Sequence, residues 1–170
     1  MLPEVEYQLA QENIGRIRGP MGSEVMAEFA AALDPINAIA DAAPGFVWRL
    51  QDDAGNATAI HVYDDDRMII NLSVWTSLDA LADFVMHTEH RDYLRRRREW
   101  FERIEAPFVA LWWVPAGYIP TPLEAKARVD HLAEHGPTPH AFTFRRAFPP
   151  PSLDVDADAA GRSSPAHADG

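Results

Sequence analysis

Apolar residues between Tyr7 and Phe148 recur with a period of two in some stretches and about 3.6 in others, the pattern of an α+β domain. Tyr7 to Ile17 reads as a first strand, broken by Gly19, Pro20 and Gly22. Ser23 then caps a helix with Val25, Met26, Phe29, Leu33, Ile36 and Ile39 on one stripe; Pro35 kinks it and Pro44-Gly45 ends it. Phe46 to Gln51 is a short strand, Asp52 to Asn56 (DDAGN) a turn, and Ala57 to Val62 its hairpin partner. After the Asp64-Asp65-Asp66 turn, Met68 to Trp75 is the clearest strand in the chain. Thr76, with Asp79 three residues on, opens a helix through Leu81, Phe84 and Val85, which is interrupted near Thr88 and continues to Trp100-Phe101. Phe108 to Val114 is a strand, and the capping box Thr121-Pro122-Leu123-Glu124 opens a helix that stops at Gly136-Pro137. Phe142 to Phe148 reads as a last edge strand. No segment repeats, and the order predicts a ferredoxin-like antiparallel sheet with helices on one face.

In Met68 to Trp75 the two faces differ in kind. Ile70, Leu72 and Val74 point one way and are expected to meet the helices; Asn71, Ser73 and Trp75 point the other. An amide, a hydroxyl and an indole suit neither a dry core nor open water, which predicts a partly wet, aromatic-lined hollow on the helix-free side. Trp48, with Trp112 or Trp113, is expected to join it. A seam between two copies of the chain, with Trp75 as a packing anchor, accounts for the same pattern, and a dimer that itself encloses the hollow satisfies both.

Net charge narrows the partners. The 170 residues carry 26 acidic and 15 basic side chains, a net −11, so the surface field repels nucleic acid and anionic membranes. With no cysteine, disulfides, thiolate nucleophiles and cysteine metal sites are excluded. No apolar run reaches the roughly 18 to 20 residues of a membrane span, and the first residues lack a basic, then apolar leader, so a cytoplasmic location is expected. Residues 149–170, rich in Pro, Ala, Asp and Ser, read as a disordered acidic tail after a single domain of residues 1–148.

His87 and His90 stand three apart in the helix after Trp75, and His90 heads a stripe with Tyr93, Arg97 and Trp100. A neutral imidazole there is a candidate base, acid or axial ligand. Arg95 to Arg98 cover the whole helix circumference, so most are solvated, with one or two pairing with acids and one a candidate partner for a carboxylate ligand. His131-Leu132-Ala133-Glu134-His135 spells the H-x-x-E-H of inverted zinc proteases, but the helix ends at once and no distant third ligand follows; no metal site is expected. Serine-hydrolase, P-loop and dinucleotide motifs are absent from the sequence.

The run IINLSVW followed by TSLDALADFVMHTEH resembles the antibiotic-biosynthesis-monooxygenase-like group of the dimeric α+β barrel superfamily. The longer run through RRREWFERIEAPFVALWWVPAGYIPTPLEA and GPTPHAFTFRR resembles an uncharacterised bacterial domain-of-unknown-function family of that superfamily, over roughly Tyr7 to Pro150. The resemblance implies a homodimer whose two sheets pack face to face, and members that range from cofactor-independent quinone-forming oxygenases to haem-degrading enzymes. Asn71 and Trp75 match the Asn and Trp of the former, whose Tyr is replaced here by Leu81. Asn13 and Trp75 match the first-strand Asn and strand Trp of the latter, whose iron-ligating His is replaced by Leu94.

The expected function is an oxygenase-like protein that acts on or binds a planar apolar molecule such as a quinone, polycyclic aromatic or tetrapyrrole. Asn71, Trp75 and His90 are the candidate catalytic residues; Asn13, Trp48, Ser73, His87 and Trp112 are the candidate ligand contacts. The cofactor is none, or haem with His90 or His87 as axial ligand. The alternative is a haem-binding or non-catalytic, ligand-sensing dimer.

Overall fold

Strand β3 (Met68–Trp75) lies inside the sheet, with a neighbour on each edge. In the computed structural model, which describes residues 5–152, β3 pairs antiparallel with β1 (Tyr7–Arg16) on one side and β2 (Phe46–Arg49) on the other. Strand β1 pairs antiparallel with β4 (Val109–Pro115), giving the order β2-β3-β1-β4. Helix α1 (Ala27–Ala42) joins β1 to β2, and α2 (Leu78–His87), α3 (His90–Arg95) and α4 (Arg97–Trp100) join β3 to β4. That is the ferredoxin-like α+β arrangement expected, extended by α5 (Pro122–His135).

Local chemistry accounts for the helix ends. The Ser77 hydroxyl accepts from the Ala80 amide and caps α2, taking the role expected of Thr76. Thr121 accepts from the Glu124 amide and caps α5, with Pro122 in its first turn. A 3-10 turn over Glu24–Met26 precedes α1, which carries Pro35 within it. Gly45, at φ +83°, makes the turn from α1 into β2; a Cβ there would stand 2.5 Å from the Ala80 Cβ. Gly45→Ala is expected to cost about 2 kcal/mol through strain and overpacking. Urea unfolding reads this as a lower midpoint at unchanged slope, and an unchanged midpoint contradicts it.

The two sheet faces are covered in the opposite sense to the expectation. Ile70, Leu72 and Val74, with Ala10, Ile14, Ala110 and Trp112, are closed by Ala125, Val129 and Leu132 of α5 and by Ile60, Val62 and Tyr63. The face of Asn71, Ser73 and Trp75 receives Ile36, Ile39 and Ala40 of α1 and Leu81 and Phe84 of α2. Leu9, Phe46, Trp75 and Leu111 give those helices the apolar surface they need, while α5 brings its own stripe, spaced i, i+4, i+7, to the aliphatic face. The aliphatic face, which sheet-to-sheet pairing of two copies would use, is thus occupied by the same chain.

Two expected strands do not form. Ala57–Val62 is not the partner of β2: Asn56 Oδ1 accepts from both the Thr58 amide and hydroxyl, which holds the chain in a turn, and β2 takes β3 as its neighbour. Phe142–Phe148 contributes a single bridge, Leu111 to Phe142, beside β4. Of the tail expected from Pro149 onward, all beyond Ser152 lies outside the described residues.

Candidate functional site

Antiparallel register sets Gln11 opposite Ser73 and Asn13 opposite Asn71, so four polar side chains of β1 and β3 share one face with Trp75. Trp75 Nε1 donates to Ser73 Oγ at 2.9 Å, and an indole N–H has no other role. Gln11 Nε2 donates to the same oxygen at 3.0 Å and to Asn71 Oδ1 at 2.7 Å. With both lone pairs of Ser73 Oγ engaged, its single O–H is left to donate. The amide nitrogen of Asn71 is likewise left as a donor, since its oxygen is taken. Among the described residues neither group has a protein acceptor.

These donors form the floor of a cavity of about 1200 Å³ between the sheet and the helices. Phe29, Ala32, Leu33 and Ile36 of α1 make its roof; Phe84, Val85, His90, Tyr93 and Phe101 continue the wall. Trp75 stacks on Phe84 with ring centroids 5.1 Å apart and meets Phe46 edge-on at 5.5 Å. One end closes where the segment after α4 runs back along β1: Glu102 N donates to Arg16 O and Arg18 N to Trp100 O. Gly15 permits that closure, because a Cβ there would lie 2.4 Å from Phe101 Cδ1.

His90 enters through the break between α2 and α3. Thr88 Oγ1 donates to Phe84 O at 2.6 Å and accepts from His90 N at 3.3 Å, turning the chain so that the imidazole lies 5.0 Å from the Phe84 ring. Its Nδ1 sits 3.4 Å from Val85 O, a long bond in which only the ring can donate, which leaves Nε2 as the basic nitrogen. Burial pulls the His90 pKa below the ordinary value, against a weaker opposite pull from Val85 O, so the ring is neutral at pH 7.

The structure therefore brings Asn13, Asn71, Ser73, Trp75 and His90 to one cavity and leaves out three other candidates. His87 is exposed on the outer side of α2, its Nδ1 3.2 Å from Asp83. Trp48 packs on the aliphatic face, because the bulge between Phe46 and Trp48 switches faces and gives Phe46 to the cavity. Trp112 is fully buried on the aliphatic face beside α5, and Trp113 packs on Phe142 and donates to Phe148 O at 2.8 Å. His131 lies 4.4 Å from the His135 ring and 4.5 Å from that of His140, with its Nε2 3.1 Å from Thr138 Oγ1. Among the described residues no group of three His, Cys, Asp or Glu is placed to hold a metal ion.

Gln11 and Phe46 are site residues the sequence reading passed over, and Arg97, expected only as one of the Arg95–Arg98 block, lines the cavity as well. Gln11 had a visible signal: Leu9, Gln11 and Asn13 form a period-two set on β1 with the same mixed character as Asn71, Ser73 and Trp75.

Set against known proteins, the chain matches the family described as "Domain of unknown function (DUF3291)" over residues 8–158. No curated protein matches it. Among solved structures it is similar to a mutant of SnoaB, a cofactor-independent oxygenase from Streptomyces nogalater, at 17% identity and a TM-score of 0.44, covering 66% of this chain and 95% of that one. PA3566 from Pseudomonas aeruginosa is similar at 15% identity and a TM-score of 0.44, over 68% of this chain and 100% of its own. NE2512, a protein of unknown function from Nitrosomonas europaea, is similar at 11% identity and a TM-score of 0.41, over 70% and 98%. Among the described residues no helix is long and apolar enough to cross a membrane.

Proposed function

The chain belongs to the DUF3291 family, and we propose that its cavity binds a small planar apolar molecule through a carbonyl or phenolic oxygen. The observation that carries this reading is the relay Trp75–Ser73–Gln11–Asn71, which turns two donors toward one apolar-walled space. Those donors complement an acceptor oxygen, and most strongly an oxyanion, each hydrogen bond to a charged group contributing about 1.5–3 kcal/mol.

The finer reading is oxygenase-like. His90 Nε2 takes the proton of a bound phenol, Asn71 and Ser73 hold the phenolate, and the electron-rich ring gives two electrons to dioxygen as a carbon–oxygen bond forms. Loss of water from the resulting hydroperoxide leaves a quinone, so phenol and O₂ become quinone and H₂O. Haem is the cofactor variant: His90, the histidine that lines the cavity, would hold it, and His87 stands outside. Bound there, haem would supply one-electron and dioxygen chemistry.

Titration with menadione, followed by tryptophan quenching and thermal shift, tests the binding reading. Asn71→Ala is expected to weaken binding about three- to tenfold, the worth of one uncharged hydrogen bond, with the fold intact. His90→Ala is expected to leave menadione binding within about twofold and to lower oxygen uptake with naphthols by at least about a hundredfold. Absence of quenching with menadione, naphthols and haemin alike rejects the reading. A Soret shift with haemin that disappears in His90→Ala selects the haem variant.

A further inference from the structure

Resting on that reading of the cavity, we propose that its ligand also carries a carboxylate, which Arg97 receives between Phe101 and Phe108. Arg97 is half-buried at the start of α4 and lines the cavity. Its guanidinium carbon lies 4.3 Å from the Phe108 ring centroid and 5.0 Å from that of Phe101, and Nη2 donates to Ile14 O at 3.1 Å. The remaining N–H donors of the fork have no protein acceptor among the described residues.

Arg97 also has no carboxylate partner among those residues, unlike the other half-buried arginines, Arg16, Arg49, Arg96 and Arg128; the other arginines without one are exposed. Arg16 pairs with Asp65 and Glu102, Arg49 with Asp41, and Arg96 with Glu28 and Glu99. In a chain with 26 acids to 15 bases, a protein carboxylate is the easiest partner to supply. A half-desolvated cation left without one is costly unless an anion arrives from outside. The cavity lining repeats the inversion, with five arginines against two glutamates, although the whole chain carries −11. Such a local field concentrates an organic anion, and a planar fork held between two phenyl rings matches a carboxylate bidentately.

Spacing sets the ligand's length. Ile14, which anchors Arg97, is one residue along β1 from Asn13, the register partner of Asn71, and three from Gln11, the partner of Ser73, so the Ser73 donor lies about 10 Å along the strand from that anchor. A molecule of two or three fused rings, with a ring oxygen at one end and a carboxylate at the other, spans both contacts.

The test compares 6-hydroxy-2-naphthoate with its neutral carboxamide on the full chain at low salt, by calorimetry. The carboxylate is expected to bind about tenfold tighter or more, and Arg97→Met to bring the two within about twofold. Arg97→Lys, which keeps the charge and loses the fork, is expected to fall between and serves as the variant if Arg97→Met does not fold. Equal affinities in the native chain, or a carboxylate preference that survives in Arg97→Met, overturn the carboxylate proposal while the cavity reading stands. Failure of both ligands to bind overturns the two together.

Discussion

Glu12→Leu is expected to stabilise the protein by several kcal/mol at pH 8 and by much less at pH 5. Glu12 sits on β1 between Gln11 and Asn13; those two face the cavity, so the alternation turns Glu12 onto the aliphatic face under α5. It is fully buried, neither carboxyl oxygen has a hydrogen-bond partner, and the nearby Tyr63 hydroxyl and the Trp112 indole nitrogen are unpartnered as well. Burial pushes its pKa from 4.5 up to about 9. Between those two values the unfolded chain has released the proton and the folded chain still holds it, so the folded state binds more protons and stability falls as pH rises. The contribution is fully present below about pH 4.5 and is lost progressively up to about pH 9, a change on the order of 5 kcal/mol. Leucine removes the titration and the unsatisfied oxygens together, in a similar volume. Glu12→Gln removes only the titration, flattening the profile while keeping part of the polar cost. Urea melts of the three proteins at pH 5 and pH 8 read this directly. An equal effect of Glu12→Leu at both values, or a loss of stability at pH 8, contradicts the buried neutral acid.

The same alternation that exposes Glu12 shows what the sequence could and could not reveal. Met68–Trp75, the break at Thr88 and the Thr121 cap were legible because each rests on chemistry within a few residues: a period of two, a side chain bonded to its own turn, a hydroxyl reaching an amide three positions on. Which face of β3 meets α1 and α2 was not legible. That outcome depends on α5, about fifty residues later, occupying the aliphatic face first. The exclusion of Trp48 and Trp112 follows from the same partition, sharpened by a bulge at Phe46 that shifts β2 by one residue and reverses every side chain beyond it. Arg97 was hidden for a different reason. In a run of four arginines nothing local distinguishes the one that is half-buried without an acid; only the folded chain places Glu28 and Glu99 beside Arg96 and two phenyl rings beside Arg97.

Trp75→Ala is expected to cost about 3–5 kcal/mol, the loss for a large aromatic truncated in a core. Trp75→Phe separates what that ring does for the fold from what it does for the site. Phenylalanine keeps the stacking on Phe84 and the edge contact with Phe46, so the stability cost should be about 1–2 kcal/mol. It removes the indole N–H, the donor that fixes the direction of the whole relay. Freed of that bond, Ser73 Oγ has a lone pair to spare and its hydroxyl is no longer committed to donating into the cavity. Gln11 loses its reason to direct both N–H bonds at Ser73 and Asn71, and its amide can reverse. A ligand oxygen then meets an uncommitted hydroxyl in place of two preset donors, and menadione affinity should fall about five- to tenfold, more than the lost packing explains. The pairing of Trp75→Phe with Ser73→Ala decides the matter. If the relay acts as one unit, the double variant binds about as weakly as either single variant. Affinity losses that simply add would show that Trp75 serves the cavity as wall alone.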